Sequence, residues 1–288
     1  MAASASTGTP AETTRFAPSP TGLLHLGHAY AALFAWRRAR DGGGRFLLRL
    51  EDIDIARCRQ EFADAIIEDL AWLGIDWNGP VLRQSQRMTE YAGALARLKA
   101  IGLVYPCFCT RAEIAAEIAR AGVAPHEGEP AYPGTCRTLD GATRRARMQS
   151  GSSYAWRLDA GAALTRTGML TWHDEHAGTQ PVRVSSDPVL ARKDVATSYH
   201  LAVVVDDAYQ QVSLVTRGVD LFAATHVQRL LQALLGLPLP RYHHHALLLG
   251  RDGKRLAKRD QAQTLRALRE AGMSPGDVCA RAFAGRLL

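Results

Sequence analysis

TRFAPSPTGLLHLGHAYAALFAW, residues 14–36, sets the architecture expected of this chain. A short alternating run through Thr14 and Phe16 meets a Pro-rich turn, and an apolar helical pattern follows. That order reads as strand, turn, helix. Pro18 and Pro20 stiffen the turn and remove backbone donors. Gly22 and Gly27 permit close backbone approach. The first turn of the helix offers N–H groups and a positive dipole end to an anion. His25 and His28 add side-chain donors, so a phosphate whose charge grows during attack would be stabilised here. A bare His-x-Gly-His would read as two ordinary surface histidines; the whole string is far more specific.

The neighbouring segments extend the pattern. RFLLRL at 45–50 is a short buried strand, and CRQEFADAIIEDLAWLGI at 58–75 sets Phe62, Ile66, Leu70 and Leu73 at helical spacing. This β-α-β-α opening predicts an α/β, Rossmann-type, doubly wound parallel sheet. MTEYAGALARLKAIGL at 88–103 is a further amphipathic helix. Residues 120–140 are rich in Gly, Pro and polar residues, and short alternating runs fill 154–195. LAVVV at 201–205 fits a buried strand or a helix equally well. DLFAATHVQRLLQALLG is a helix closed by Gly236, and HHALLLG at 244–250 reads as another strand leading into the basic loop GKRLAKRD at 253–260. The expected organisation is a disordered extension at 1–12, a first catalytic half at 13–100 and a mixed, zinc-containing insertion at 101–197. A second half at 198–250 follows, then the basic loop and a short helical segment at 251–288.

The chain has 288 residues, a net charge of +7 and a pI near 9.4. That balance suits a polyanion such as nucleic acid, and equally suits plain solubility. No apolar run approaches the roughly 20 residues of a membrane span. The first dozen residues lack the charged and apolar regions of a signal peptide, so a cytoplasmic protein is expected. An odd count of five cysteines argues against a disulfide framework. Cys107, Cys109 and Cys136 fall in one short window, and three thiolates suit tetrahedral Zn²⁺. On chemistry alone His126 is the ordinary fourth ligand. Two histidine clusters read otherwise: HDEH at 173–176 as a solvated strand edge, and HHH at 243–245 as structural or nucleotide-packing.

RFAPSPTGLLHLGH closely resembles the signature of the class I glutamyl-type aminoacyl-tRNA synthetases. LLRLEDID, YHLAVVVDD, VTRGVDL and LLLGRDGKRLAKRD resemble that family's later motifs, in order, so the likeness runs from about residue 14 to 260. It implies ATP-dependent activation of L-glutamate, with Mg²⁺ accompanying ATP. His25, His28, Arg255 and Lys258 would serve ATP, since cations on a loop neutralise the departing pyrophosphate. The family's loop usually reads Lys-Leu/Met-Ser-Lys; here Arg255-Leu256-Ala257-Lys258 replaces its first lysine and its serine. Glutamate brings two carboxylates and an ammonium. Arg15 and Arg217 would bind the former through planar donors, Glu51 the latter, with Tyr199 donating a hydroxyl. Phe16, Ala17, Pro18 and Ser19 complete the family's amino-acid site. Without the resemblance, Arg15 and Arg217 would read as surface salt bridges, and Glu51, Asp52 and Asp54 as a solvated acidic loop.

Within the family the likeness is to its short branch, the glutamyl-Q tRNA(Asp) synthetases, which attach glutamate to the queuosine base of tRNA(Asp). About 30 residues follow the basic loop, too few for an anticodon-reading domain. Arg217-Gly218-Val219-Asp220 stands where longer members tend to have Arg-Gly-Glu-Asp. The short branch places a tyrosine just before its last cysteine, which points to Tyr132 beside Cys107, Cys109 and Cys136 as ligands of one structural zinc. The expected partners are queuosine-bearing tRNA(Asp), L-glutamate and ATP, acting on a monomer and without a membrane. A truncated glutamyl-tRNA synthetase, a small-molecule nucleotidyltransferase and a non-catalytic RNA-binding module are the alternatives.

Overall fold

The computed structural model describes residues 11–110, 112–114, 132–192, 195–248 and 264–284. Arg255, Lys258 and the rest of the basic loop lie outside the described residues, as does His126.

β1 (Thr13–Phe16) feeds α1 (Leu26–Asp41), and β2 (Arg45–Leu50) returns parallel to β1 with Thr14 opposite Phe46. α2 (Gln60–Trp72) follows, and β3 (Leu82–Arg83) pairs with the end of β2 before α3 (Met88–Ala100). Strand alternation explains the layering. Phe46, Leu48 and Leu50 join α1 and α2 in one apolar cluster, whereas Leu47 packs among Trp172, Val215 and Tyr242. Glu12 falls within the extension expected at 1–12. Glu12 is buried, pairs with Arg38 and Arg241, and accepts the Arg45 N–H through its carbonyl.

β4 (Val104–Cys107), β5 (Ala155–Leu158) and β8 (Val189–Arg192) form a separate antiparallel sheet, with α4 (Gly141–Gln149) and α5 (Ala160–Thr167) between its strands. Within residues 101–197 the strands divide between two sheets. β6 (Thr171–Asp174) and β7 (Gly178–Pro181) leave that sheet and extend the central one. LAVVV is helical, inside α6 (Tyr199–Tyr209), where the Ser198 hydroxyl caps the first turn. Leu201 to Val204 are all buried, which is why no amphipathic period shows.

β9 (Leu214–Gly218), α7 (Phe222–Leu235) and β10 (Arg241–His245) complete the second half. α7 ends at Gly236 in the left-handed region, φ 64°. The strand expected at 244–250 lies earlier and ends at His245. The parallel trio runs β6-β10-β9, with β7 antiparallel outside β6. Ser213 N–H donates to the Thr13 carbonyl (3.0 Å) and Thr13 N–H to the Ser213 hydroxyl (2.9 Å), so β9 lies beside β1. The two halves therefore meet at the β1/β9 seam, and a crevice opens at the carboxyl ends of these strands. Doubly wound sheets bind ligands at such a place. The helices α8 (Leu265–Glu270) and α9 (Pro275–Phe283) pack on α1 through Leu265, Val278 and Ala282.

Candidate active site

The crevice is a cleft of about 430 Å³. Arg15, Phe16, Ala17, Pro18 and Ser19 enter it from β1 and the turn, and His25 and His28 from the start of α1. Glu51 enters just past β2, Tyr199 from the first turn of α6, and Arg217 from the end of β9. The Glu51 N–H donates to the Pro18 carbonyl (3.0 Å), which holds the first two walls together.

His25 is the N-cap of α1. Its Nδ1 accepts the Gly27 N–H (3.1 Å), and His28 Nδ1 accepts the His25 N–H (3.2 Å). The rings lie 3.8 Å apart, centroid to centroid. Because backbone donors occupy both Nδ1 atoms, each neutral ring carries its proton on Nε2. Gly27 is needed: a Cβ there would stand 3.0 Å from His25 Cε1.

Arg217 is buried and held from several sides. Its Nε donates to His244 Nε2 (3.1 Å), and its terminal nitrogens reach the Tyr199 hydroxyl (3.3 Å), Gln228 Oε1 (2.9 Å) and the Thr225 hydroxyl (2.5 Å). With Nε2 accepting, His244 must carry its proton on Nδ1 and donate it to Asp174 Oδ2 (2.7 Å). Burial, reinforced by the Arg217 charge, pushes His244 down to about 4, so the ring stays neutral. Burial alone would raise Asp174, but the Ala177 N–H and His244 hold it below its ordinary range.

A second buried network supports the opposite wall. Arg15 Nε donates to Asp207 Oδ1 (3.1 Å) and its terminal nitrogen to the Thr216 carbonyl (3.2 Å). Arg49 donates to the same Asp207 oxygen (2.8 Å), to Gln210 (2.9 Å) and to Glu51 (3.3 Å). Burial raises the Glu51 carboxyl, against the pull of Arg49 and Arg15. Burial would also raise Asp207, but the two guanidiniums outweigh it and hold it low.

HDEH is not a solvated edge. β6 lies inside the sheet between β7 and β10, which buries Asp174 against His244 and brings Glu175 to His243 (2.7 Å). Of the HHH run, His244 orients Arg217 and His245 lines the cleft. Sequence reasoning passed over Arg49 and Asp207, although a charge within the alternating RFLLRL and another at the end of an apolar run are visible signals. It also missed Tyr30, Thr216 and Leu247, which carry no chemical signature of a site, and named Asp220 only within the Arg217–Asp220 motif. Gly218 leaves no room for a side chain, since a Cβ would come within 2.7 Å of Leu247 Cδ2.

Away from the cleft, the Sγ atoms of Cys107, Cys109 and Cys136 lie within 4.8 Å of one another. The Cys109 and Cys136 sulfurs are 3.4 Å apart. Tyr132 is buried beside them, its phenol oxygen accepting the Cys136 N–H (2.7 Å). Four thiolate-type ligands around zinc at ~2.3 Å would stand about 3.8 Å apart, close to the spacing of these sulfurs, so the three could hold a metal. Burial pushes the Cys109 thiol up to about 12. Burial pushes Cys136 the same way, but the Phe108 N–H and its neighbours' hydrogen bonds outweigh it and hold that thiol below its ordinary value; a bound cation would favour the thiolate at both.

Residues 12–280 match the family described as tRNA synthetases class I (E and Q), catalytic domain. A protein of Rhodobacter capsulatus named glutamyl-Q tRNA(Asp) synthetase is 50% identical over 281 residues, covering 92% of this chain and 97% of that one. A glutamate–tRNA ligase 2 of Acidithiobacillus ferrooxidans is 42% identical over 90% of this chain but only 55% of its own length. The crystal structure of a glutamate tRNA ligase from Elizabethkingia meningosepticum, in complex with its amino acid, superposes with a TM-score of 0.74 at 28% identity. It matches 87% of this chain, which spans about half (52%) of the ligase. The β1/β9 cleft, the Rossmann-like sheet and these likenesses agree: the chain belongs to the class I tRNA synthetases of the glutamate and glutamine type, and is a ligase.

Proposed function

We propose that the protein activates L-glutamate with ATP and transfers it to the queuosine base in the anticodon loop of tRNA(Asp). The observation that carries the activation step is the cleft, where two guanidiniums, a carboxylate and two Nε2–H imidazoles converge. Arg15 and Arg217 take the carboxylates of glutamate and Glu51 takes its ammonium, while Tyr199 and the backbone of Phe16 to Ser19 fix its orientation. A glutamate carboxylate oxygen attacks the α-phosphorus, a new O–P bond forms, and pyrophosphate leaves with the old one. His25 and His28 donate from Nε2 to phosphate oxygens as their charge grows. Arg255 and Lys258 neutralise the pyrophosphate. The described residues on either side of their segment support that placement: Leu248 lines the cleft, and Thr264 forms a β-bridge with His25. Mg²⁺ accompanies ATP.

In the second step a hydroxyl of the queuosine cyclopentene ring attacks the glutamyl carbonyl. An ester forms, AMP departs with the electrons of the mixed anhydride, and the hydroxyl proton is released. No side-chain nucleophile is needed, and positioning supplies the acceleration. Support for this acceptor comes from the name of the Rhodobacter capsulatus relative, which is aligned over 97% of its length. The catalytic halves are 13–100 and 198–250, with 101–197 contacting the RNA, in a cytoplasmic monomer. Radioactive glutamate should be found on an anticodon-loop fragment after nuclease mapping of tRNA(Asp), and an unmodified transcript should accept none. Label on the 3′-terminal adenosine would instead make the protein a tRNA-charging glutamyl-tRNA synthetase.

The cysteine cluster is read as a structural zinc site with Cys107, Cys109, Cys136 and Tyr132 as ligands. A zinc held there would tie β4 to the segment around Tyr132 and Cys136. Purified protein should contain about one zinc per chain, and Cys109→Ser should lose it. The insertion should then be cleaved faster by trypsin, because metal binding is coupled to local folding. Metal-free protein with an equally resistant insertion would refute the site.

A further inference from the structure

Asp69, on α2, carries a carboxylate that nothing satisfies. The residue is 1% exposed, and both its oxygens are enclosed without a hydrogen-bond partner among the described residues. Buried carboxylates are ordinarily paired or hydrogen-bonded, so this one needs an account of its own. The charges that act on it are Arg269 and Arg266 on α8 and Glu68 on its own helix. Both arginines are turned to Glu68: Arg269 donates to it (2.8 Å), and Arg266 stands 3.8 Å from the same carboxylate. Burial therefore prevails over the two cations and raises the Asp69 carboxyl to about 6. Once ionised, the group can be relieved by a guanidinium turned inward from Glu68, whose solvent-facing pairs hold weakly. Such a turn disturbs α8. That helix begins at the active site, where Thr264 forms a β-bridge with His25 and the Leu265 N–H donates to the Leu24 carbonyl (2.9 Å).

We propose that Asp69 is a proton-operated latch: protonated, it lets α8 sit beside α2 as the structure shows; ionised, it loosens α8 and the bridge to His25. Its effect on catalysis rests on the reading above, in which His25 serves ATP. A carboxyl raised by burial holds its proton more tightly in the folded chain than in the unfolded one. Its favourable contribution is complete below the ordinary carboxylate range and is lost as pH rises through about 6. Asp69→Asn removes the titration at nearly constant shape, and Asp69→Leu removes the polar group as well. In thermal unfolding of the full chain, the gap in Tm between Asp69→Asn and the parent should shift in favour of the variant by about 4 °C from pH 5 to pH 7.5. In glutamate-dependent pyrophosphate exchange, the KM for ATP of the parent relative to Asp69→Asn should rise about threefold over the same range, as the competent seat of α8 becomes less populated. The corresponding ratio for glutamate should stay constant, and Asp69→Leu should behave as Asp69→Asn does. A Tm gap that does not change with pH would overturn the latch. So would a changing gap with a flat ATP ratio, which would make Asp69 an element of stability alone. Failure of the underlying reading has a different signature: the parent then shows no glutamate-dependent exchange, while the Tm comparison still reports the carboxyl.

Discussion

Arg217→Ala is expected to lower kcat/KM for glutamate in pyrophosphate exchange by about 10³-fold, while the KM for ATP changes by no more than a few-fold. Four of the five Arg217 N–H groups are already met, and the one left for substrate gives a charge-assisted hydrogen bond worth roughly 1.5–3 kcal/mol, to which the loss of the held partners adds. The deletion also strips partners from Tyr199, Gln228, Thr225 and His244, all of which the guanidinium holds. Arg217→Lys should recover less than about tenfold, because one ammonium cannot meet four partners and a carboxylate in the plane of the fork. Asp174→Asn tests the support behind it. An amide in that place no longer favours a His244 that donates from Nδ1 and accepts at Nε2, so the loss should be intermediate and confined to glutamate. An unchanged glutamate KM in Arg217→Ala would remove this residue from the substrate site.

Asp207→Ala is expected to destabilise the fold by about 3–5 kcal/mol, the effect of leaving buried charges without their counter-ion. Arg15 and Arg49 both rely on one oxygen of Asp207, and Arg49 is fully buried. A loss of that size lowers Tm by roughly 10 °C in a chain of this length. Asp207→Asn keeps the shape and one acceptor, and should lose distinctly less. Thermal unfolding followed by circular dichroism separates the two. An alanine variant that melts within 2–3 °C of the parent would show that water or a neighbouring carboxylate replaces Asp207.

The first half of the sheet was legible because its residues obey local periods. Thr14 and Phe16 alternate, α1 stops at its glycines, and Phe46, Leu48 and Leu50 share one face. α6 was ambiguous for a physical reason, since a helix buried along Leu201 to Val204 shows no polar stripe. HDEH was misjudged because alternation reports which face a side chain takes, not whether another strand covers that edge; the strand that does, β10, lies far along the chain. The cleft residues were legible through ordered motifs. What they lean on was not: Arg15 and Asp207 are 192 positions apart, and Asp174 reaches Arg217 only through His244.

The β1/β9 seam also has a meaning in time. A ribosome adding about 5–20 residues per second needs on the order of 10–40 s to pass from Arg15 to Asp207. Throughout that interval β1, β2 and β3 can pair, but the outer edge of β1 is bare, Arg15 lacks its counter-ion Asp207, and Arg49 has Glu51 alone. A bare strand edge is a template for the wrong neighbour. The nascent protein thus passes through a sticky, cation-studded half-sheet before its own ninth strand arrives to cover it. Slowing synthesis between β3 and β9 should therefore lower the yield of folded protein more than slowing synthesis anywhere after β10.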